Sequence, residues 1–102
     1  MPRLIVLYNQ PDDPEAFDAH YRDVHTPIVR AYPKLRELKT CTPEGVGGRP
    51  SPYYLMAEMS FDSQADLNEA LSSEAGAASA RDLRSFATGG TVLFVVPDST
   101  DA

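Results

Sequence analysis

Two short runs, LIVLY (residues 4–8) and VLFVV (residues 92–96), are apolar at every position. Each contains β-branched side chains and is followed by turn-forming residues or a proline, so each predicts a β-strand. Because the side chains of a strand alternate between the two faces of its sheet, both faces of these strands need cover. This requirement constrains the fold more than any other feature of the chain.

The order of the predicted elements is βαββαβ, the ferredoxin-like α+β pattern with one antiparallel sheet and its helices on one face. Capping residues predict helix starts at Asp13, at Ser63 and near Ser73. The predicted strands are residues 3–9, 34–43, 53–61 and 91–96. The order of elements thus places all helical cover on one side of the sheet.

The length of 102 residues fits one domain, which we assign to residues 1–97, with a loose C-terminal tail at residues 98–102. The loop from Thr42 to Ser51 contains three glycines and two prolines. It has almost no apolar anchor, so we expect it to be the most mobile internal segment.

Alternation in the strand YYLMAEMSF (residues 53–61) divides its side chains into two sets. The more apolar set is predicted to face the helices, and it consists of Tyr53, Leu55, Ala57, Met59 and Phe61. The other set consists of Tyr54, Met56, Glu58 and Ser60. Together with the two apolar runs, this second face would expose a larger apolar patch than monomers usually show. A second copy is the simplest cover, since two-fold dimers are the commonest oligomers, so we predict a homodimer shaped as a dimeric α+β barrel.

Charge and composition exclude several classes of partner. The net charge is −6, with nine basic and fifteen acidic residues, which disfavours nucleic acid and anionic membrane surfaces as partners. Cys41 is alone and is expected to be a small buried residue; with two histidines it makes a poor metal site. The chain has no apolar run of membrane-spanning length and no signal-peptide pattern, so we expect a cytoplasmic protein.

The first predicted helix runs into a proline. Its apolar stripe at helical spacing consists of Phe17, Tyr21, Val24 and Ile28. Pro27 cannot donate a hydrogen bond to the carbonyl four residues earlier, and it disfavours helical dihedrals at Thr26. We therefore predict that the helix ends or kinks at His25, that Thr26 caps a second segment, and that the imidazole turns toward a cleft beside Tyr21.

These residues make the chain resemble the EthD-like proteins of the dimeric α+β barrel superfamily. The resemblance lies in LIVLY, DPEAFDAHYRDVHTPIVRAYPKL, YYLMAEMSFDS and DLRSFATGGTVLFV, and so covers nearly the whole chain. It implies a homodimer of ferredoxin-like subunits with an apolar cleft. The family takes its name from a protein associated with ethyl tert-butyl ether degradation, and relatives in fungal aromatic polyketide pathways act as dehydratases.

His25 is the candidate catalytic residue, because an imidazole that titrates near neutral pH can act as a general acid or base. A structural histidine that fastens the broken helix end is an equally weighted alternative. His20, five residues earlier, is predicted to lie on a different helical face at the surface. The candidate substrate-binding residues are Tyr21, Tyr8, Tyr54, Met56 and Glu58. For Tyr21 a core position is an alternative, for Tyr8, Tyr54 and Met56 dimer packing is an alternative, and for Glu58 an ion pair with an arginine or exposure at a sheet edge is favoured.

Two function classes remain open at this point. In the first, a small enzyme binds an aromatic or other hydrophobic small molecule, and His25 moves a proton during dehydration, cyclisation, isomerisation or cofactor-independent oxygenation. In the second, a non-catalytic auxiliary protein uses the same cavity and His25 is structural. No cofactor-binding motif is present, since GVGG lies in a loop between two strands; haem stays an alternative, with His25 as a candidate axial ligand.

Overall fold

The computed structural model describes all 102 residues as four strands and a set of helices. The strands are β1 (Arg3–Asn9), β2 (Glu37–Cys41), β3 (Tyr53–Ser60) and β4 (Thr91–Val96); the α-helices are α1 (Pro14–His20), α2 (Thr26–Arg30), α3 (Gln64–Ser72) and α4 (Glu74–Phe86). All neighbouring strands are antiparallel, in the order β2-β3-β1-β4. The predicted ferredoxin-like fold is confirmed. No helix is long and apolar enough to cross a membrane.

The helices begin where the capping residues predict. Asp13 accepts a hydrogen bond from the amide of Ala16, and Ser63 accepts one from Asp66. Ser73 separates α3 from α4 and caps α4 by accepting from Gly76. A glycine is needed at residue 76, because a Cβ there would collide with the carbonyl oxygens of Ala70 and Leu71 near the end of α3.

The core lies between β1, β3 and the helices. Leu4, Val6 and Tyr8 point from β1 toward the helices, and Met59 and Ala57 of β3 lie opposite the first two. All five side chains are buried. The predicted helix-facing side of β3 is therefore confirmed for its central positions.

Tyr54 departs from the predicted alternation. The register shifts after Tyr8, which pairs with Leu55, whereas the next residue of β1 pairs with Tyr53. Tyr54 is thus an extra residue in β3, a β-bulge. Its ring lies edge-on to Phe17 with 5.4 Å between centroids, and its hydroxyl donates to the Asp18 carboxylate at 2.9 Å. The expectation that Tyr54 points away from the helices is wrong.

The other face of the sheet carries no helix. Glu58 forms an ion pair there with Arg3, the favoured interpretation of this glutamate. Cys41 is exposed on this face at the edge strand β2, so its predicted burial is wrong; the edge strand has no neighbour to cover it. β4 is exposed on both faces, through Val92, Leu93, Phe94 and Val95.

The segment before Pro27 does not break. Residues Tyr21–His25 form a π-helical turn that joins α1 to α2, and the Thr26 amide donates to the Tyr21 carbonyl five residues earlier. Thr26 keeps helical dihedrals (φ −55°, ψ −45°), and no side chain caps α2. Of the two predicted alternatives, an end or a kink at His25, the end is wrong, and the irregularity takes the form of a π turn. The predicted Thr26 cap is also wrong, because the widened turn accommodates the proline ring and its missing N–H without ending the helix.

The π turn also rotates the buried face of the helix by one residue. The predicted stripe continued from Phe17 and Tyr21 to Val24, but Val24 is 43% exposed. The buried positions are instead His25 and Val29. An extra residue in the turn shifts everything after it, so the imidazole takes the place that regular helical spacing assigns to a valine.

Candidate functional site

A cavity of about 360 Å³ lies between the sheet and the helices. β1, β3 and β4 supply its floor, α4 supplies one wall, and the π turn and α2 supply another. Thirteen of its eighteen lining residues are hydrophobic. Its size is near the lower end of the range for small-molecule sites, and its mainly apolar lining is typical of them.

Two histidines and one aspartate meet beside this cavity. The Asp82 carboxylate, on α4, lies 2.8 Å from Nδ1 of His25 through one oxygen and 2.8 Å from Nε2 of His20 through the other. The His25 side chain is 5% exposed and lines the cavity, whereas the His20 side chain is 31% exposed. The expectation that His20 lies apart from His25 at the surface is therefore wrong.

The π turn explains how residues five apart reach one carboxylate. In a regular α-helix, positions i and i+5 are rotated by about 140° from each other. With hydrogen bonds from residue i+5 to residue i, the same two positions stack, and both imidazoles face α4. The ring of Phe86, on α4, stacks against His20 with 4.7 Å between centroids and packs against His25 at 4.9 Å.

Asp82 is the residue that sequence reasoning missed. It belongs to the α4 face that also carries Ser79 and Phe86, both buried, and Ser79 is hydrogen-bonded to Tyr32. The available signal was the position of Asp82, four residues before the predicted apolar anchor Phe86. This helical spacing places the carboxylate on the inward face of the helix, where it needs a hydrogen-bond or charge partner. Its partners were hidden because the π turn is not visible in the helical periodicity.

Asp82 fixes the orientation of the imidazole. An ionised carboxylate only accepts hydrogen bonds, so Nδ1 of His25 carries the proton and donates it. Nε2 then has a lone pair, and since no fully buried side-chain nitrogen or oxygen in the chain lacks a partner, this nitrogen is not fully buried, in a side chain that lines the cavity. The arrangement is that of a general base with its orienting carboxylate.

Burial and the carboxylate act in opposite directions on His25. Burial lowers the pKa of His25 below its ordinary value of 6.5 and outweighs the hydrogen bond and charge of Asp82, which raise it. Burial alone would raise the pKa of Asp82, but the hydrogen bonds from His20 and His25 together bring it below its ordinary value. At neutral pH the pair is therefore a neutral imidazole beside an ionised carboxylate, ready to take up a proton.

Two tyrosines of the predicted set line the same cavity. Tyr21 packs beside His25 with 5.7 Å between ring centroids, and Tyr8 lies edge-on to Tyr21 at 5.7 Å. Burial raises the pKa of Tyr21 to about 12 and raises that of Tyr8 further. Both hydroxyls therefore keep their protons at neutral pH and can donate hydrogen bonds to a ligand.

The remaining candidates are not brought to His25. Met56 and Glu58 alternate with the buried residues of β3 and lie on the opposite face of the sheet, while Tyr54 packs on α1. None of the three is among the cavity-lining residues. No group of three histidine, cysteine, aspartate or glutamate side chains is arranged to hold a metal ion.

Comparison with known proteins finds similarity along nearly the whole chain. The pattern of the EthD domain matches residues 9–90. An uncharacterized 11.0 kDa protein in the thcB-thcC intergenic region of Rhodococcus erythropolis is 33% identical over 100 residues, which cover 98% of this chain and 97% of that protein.

Solved structures extend the comparison. An EthD family protein from Bacillus halodurans superposes with a TM-score of 0.88 at 37% identity, over 97% of this chain and 99% of that one. A protein of unknown function from Bacteroides fragilis, described as dimeric with a ferredoxin-like fold, has a TM-score of 0.64 at 14% identity, over 95% of each chain.

Proposed function

The chain belongs to the EthD family, and we propose that its cavity binds a hydrophobic small molecule to or from which Nε2 of His25 transfers a proton. The observation that carries the proposal is the Asp82–His25 pair, placed at the wall of a mainly apolar cavity. The carboxylate holds one imidazole nitrogen, and the other nitrogen is left for a ligand in the cavity.

The chemistry that fits this pair is removal of a proton from a carbon next to a carbonyl group. Nε2 accepts the proton, and the positive charge that forms on the imidazole is stabilised by Asp82. The hydroxyls of Tyr8 and Tyr21 are neutral donors that could bind the enolate oxygen. Return of the proton from Nε2 to the same carbon completes an exchange, and its return to a different carbon gives an isomer. Where the next carbon carries a hydroxyl group, transfer of the proton to that oxygen breaks the C–O bond, releases water and forms a C=C bond, which is dehydration.

Hydrogen–deuterium exchange of 2-tetralone in D2O tests this proposal directly. This bicyclic ketone is apolar and has acidic C–H bonds beside its carbonyl, so NMR can follow replacement of each hydrogen by deuterium. We expect the protein to accelerate the exchange by about 100-fold over buffer, the lower end of the range for a positioned general base. His25→Asn should abolish the acceleration, although its amide can still donate to Asp82 and preserve the local fold.

The control is Arg22→Gln, which removes an exposed ion pair with Asp23 in the same π turn. This variant should keep the full exchange rate. If 2-tetralone binds but does not exchange, and His25→Asn only lowers the melting temperature, His25 is structural. The non-catalytic binding protein would then be the correct function.

We also propose that a second copy of the chain covers the sheet face that carries no helix, which we call the open face. Support comes from the exposed side chains of β4 and from structural neighbours that are described as dimeric. A two-fold contact would bury the apolar side chains of this face in both copies at once. Analytical ultracentrifugation at micromolar concentration should give a dimer, and a monomer would contradict the proposal.

A further inference from the structure

Arg84 is the only lysine or arginine among the residues that line the cavity. It is exposed and lies next to Leu83, which also lines the cavity, so it stands where the cavity opens to solvent. Five of the nine lysine and arginine side chains are paired with carboxylates, and Arg84 is one of the four that take part in no ion pair. A free guanidinium is therefore available at the entrance of an apolar cavity.

The lining contains no aspartate or glutamate that would repel an anion. Asp82, whose carboxylate contacts the lining residue His25, is not itself a lining residue, and both of its oxygens are engaged by the two imidazoles. The cavity thus combines an apolar interior with one positive charge at its mouth, in a protein whose net charge is −6.

We infer that the ligand is a hydrophobic carboxylic acid, whose carboxylate pairs with Arg84 while its apolar body lies in the cavity beside His25. This inference rests on the proposed function and names its ligand class. The planar guanidinium matches a carboxylate with two parallel hydrogen bonds, and this match makes arginine a selective partner for that group. The volume of about 360 Å³ equals that of about twelve water molecules, which suits a body of one or two rings.

Isothermal titration calorimetry with 2-naphthoate and 2-naphthamide tests the inference. The two probes have the same ring system and the same number of non-hydrogen atoms, and they differ in charge. We expect the wild-type protein to bind 2-naphthoate about tenfold more tightly than the amide, the usual effect of a hydrogen bond to a charged group. The preference should shrink as salt concentration rises, because Arg84 is exposed.

Variants of two arginines on one helix locate the effect. Arg84→Gln should remove the preference for 2-naphthoate and leave the affinity for 2-naphthamide unchanged, whereas Arg84→Lys should keep part of the preference. The control is Arg81→Gln, since Arg81 is exposed on α4, forms no ion pair and does not line the cavity. It should retain the full preference.

The outcomes distinguish a failure of this inference from a failure of the proposed function. Equal binding of the two probes to the wild type, with 2-tetralone exchange intact, would overturn the carboxylate inference and leave the proton-transfer proposal standing. A preference that survives in Arg84→Gln would also overturn it. Failure of both probes and of 2-tetralone to bind would overturn both proposals.

Discussion

The two faces of the sheet are built from alternate residues of the same strands, yet they differ in what lies above them. Toward the helices, Leu4, Val6 and Tyr8 of β1 are at most 6% exposed. On the other face no helix lies above the sheet; Ile5 of the central strand β1 is 4% exposed there, and its partner Phe94 of the edge strand β4 is 43% exposed. The helix face contains the cavity and the Asp82–His25 pair, whereas the open face has the ion pairs Arg3–Glu58 and Glu37–Lys39 beside its apolar side chains.

This difference shows that apolar strands do not by themselves indicate where the chemistry lies. The runs LIVLY and VLFVV are apolar toward both faces, but only the helix face receives polar groups from a second layer, namely α4 and the π turn. The open face has nothing above it that could position a proton donor or acceptor, so its apolar surface fits assembly better than catalysis. Substitutions on the two faces should therefore have different kinds of effect.

The largest expected effect is the loss of a core phenylalanine. Phe61, which follows β3, is fully buried, and Phe61→Ala should lower the free energy of unfolding by about 3–5 kcal/mol. Phe94→Ala, on the open face, should cost less, and its cost should grow with protein concentration, because it acts through association of two copies. Urea unfolding at several protein concentrations measures both effects. A Phe94→Ala loss that does not depend on concentration would contradict the comparison.

Much of the fold follows from local sequence signals. Asp13, Ser63 and Ser73 cap helices as their side chains predict, and the strand order follows from the sequence of elements. Such signals depend on a few neighbouring residues, whose preferences the tertiary structure here does not override. The face of β3 was predictable as far as the bulge at Tyr54, where one extra residue reverses the alternation.

The site was predictable only in part, because the extra residue in the π turn changes which of the following helical residues face the core. His25 was identified from its chemistry and from Pro27, but the response of the helix to that proline was a widened turn instead of a break. The widened turn replaces Val24 by His25 on the buried face and brings His20 to Asp82. A contact that joins residues 57 positions apart, such as Asp82 to His25, leaves no trace in local periodicity.

A smaller effect is expected for Asp82→Asn, which tests whether proton transfer by His25 depends on the carboxylate that α4 places beside it. The amide carries no charge to stabilise an imidazolium, so exchange of 2-tetralone should slow by about tenfold, the effect of one hydrogen bond to a charged group. Binding of 2-tetralone should be unchanged, because Asp82 is not a lining residue. Nitrogen-15 NMR of His25 should show the proton on Nδ1 in the wild type and a changed proton distribution between the ring nitrogens in the variant.

The matched control is Asp62→Asn, which removes an exposed carboxylate paired with Arg36. It should leave both the exchange rate and the His25 spectrum as they are. Equal slowing in both variants would mean that a general loss of negative charge, and not the positioning of His25, is responsible.

The smallest expected effect is a pH dependence of stability that belongs to the helix face. Burial lowers the pKa of His25 in the folded chain below 6.5, so the unfolded chain takes up a proton at higher pH than the folded chain does. The stability contributed by neutral His25 is therefore present above about pH 6.5 and is lost as the pH falls from there to the folded pKa, by at most about 1.4 kcal/mol per pH unit. Asp82 adds a second loss in more acidic solution, as the pH falls through the ordinary carboxyl range to its lowered pKa. Urea unfolding between pH 7.5 and pH 5 should show that the free energy of unfolding depends less on pH in His25→Asn than in the wild type. Ser60→Ala, a neutral change on the open face, should keep the wild-type dependence. A wild-type free energy of unfolding that rises toward pH 5 would show that His25 is protonated in the folded chain and is not the free base that the proposed reaction requires.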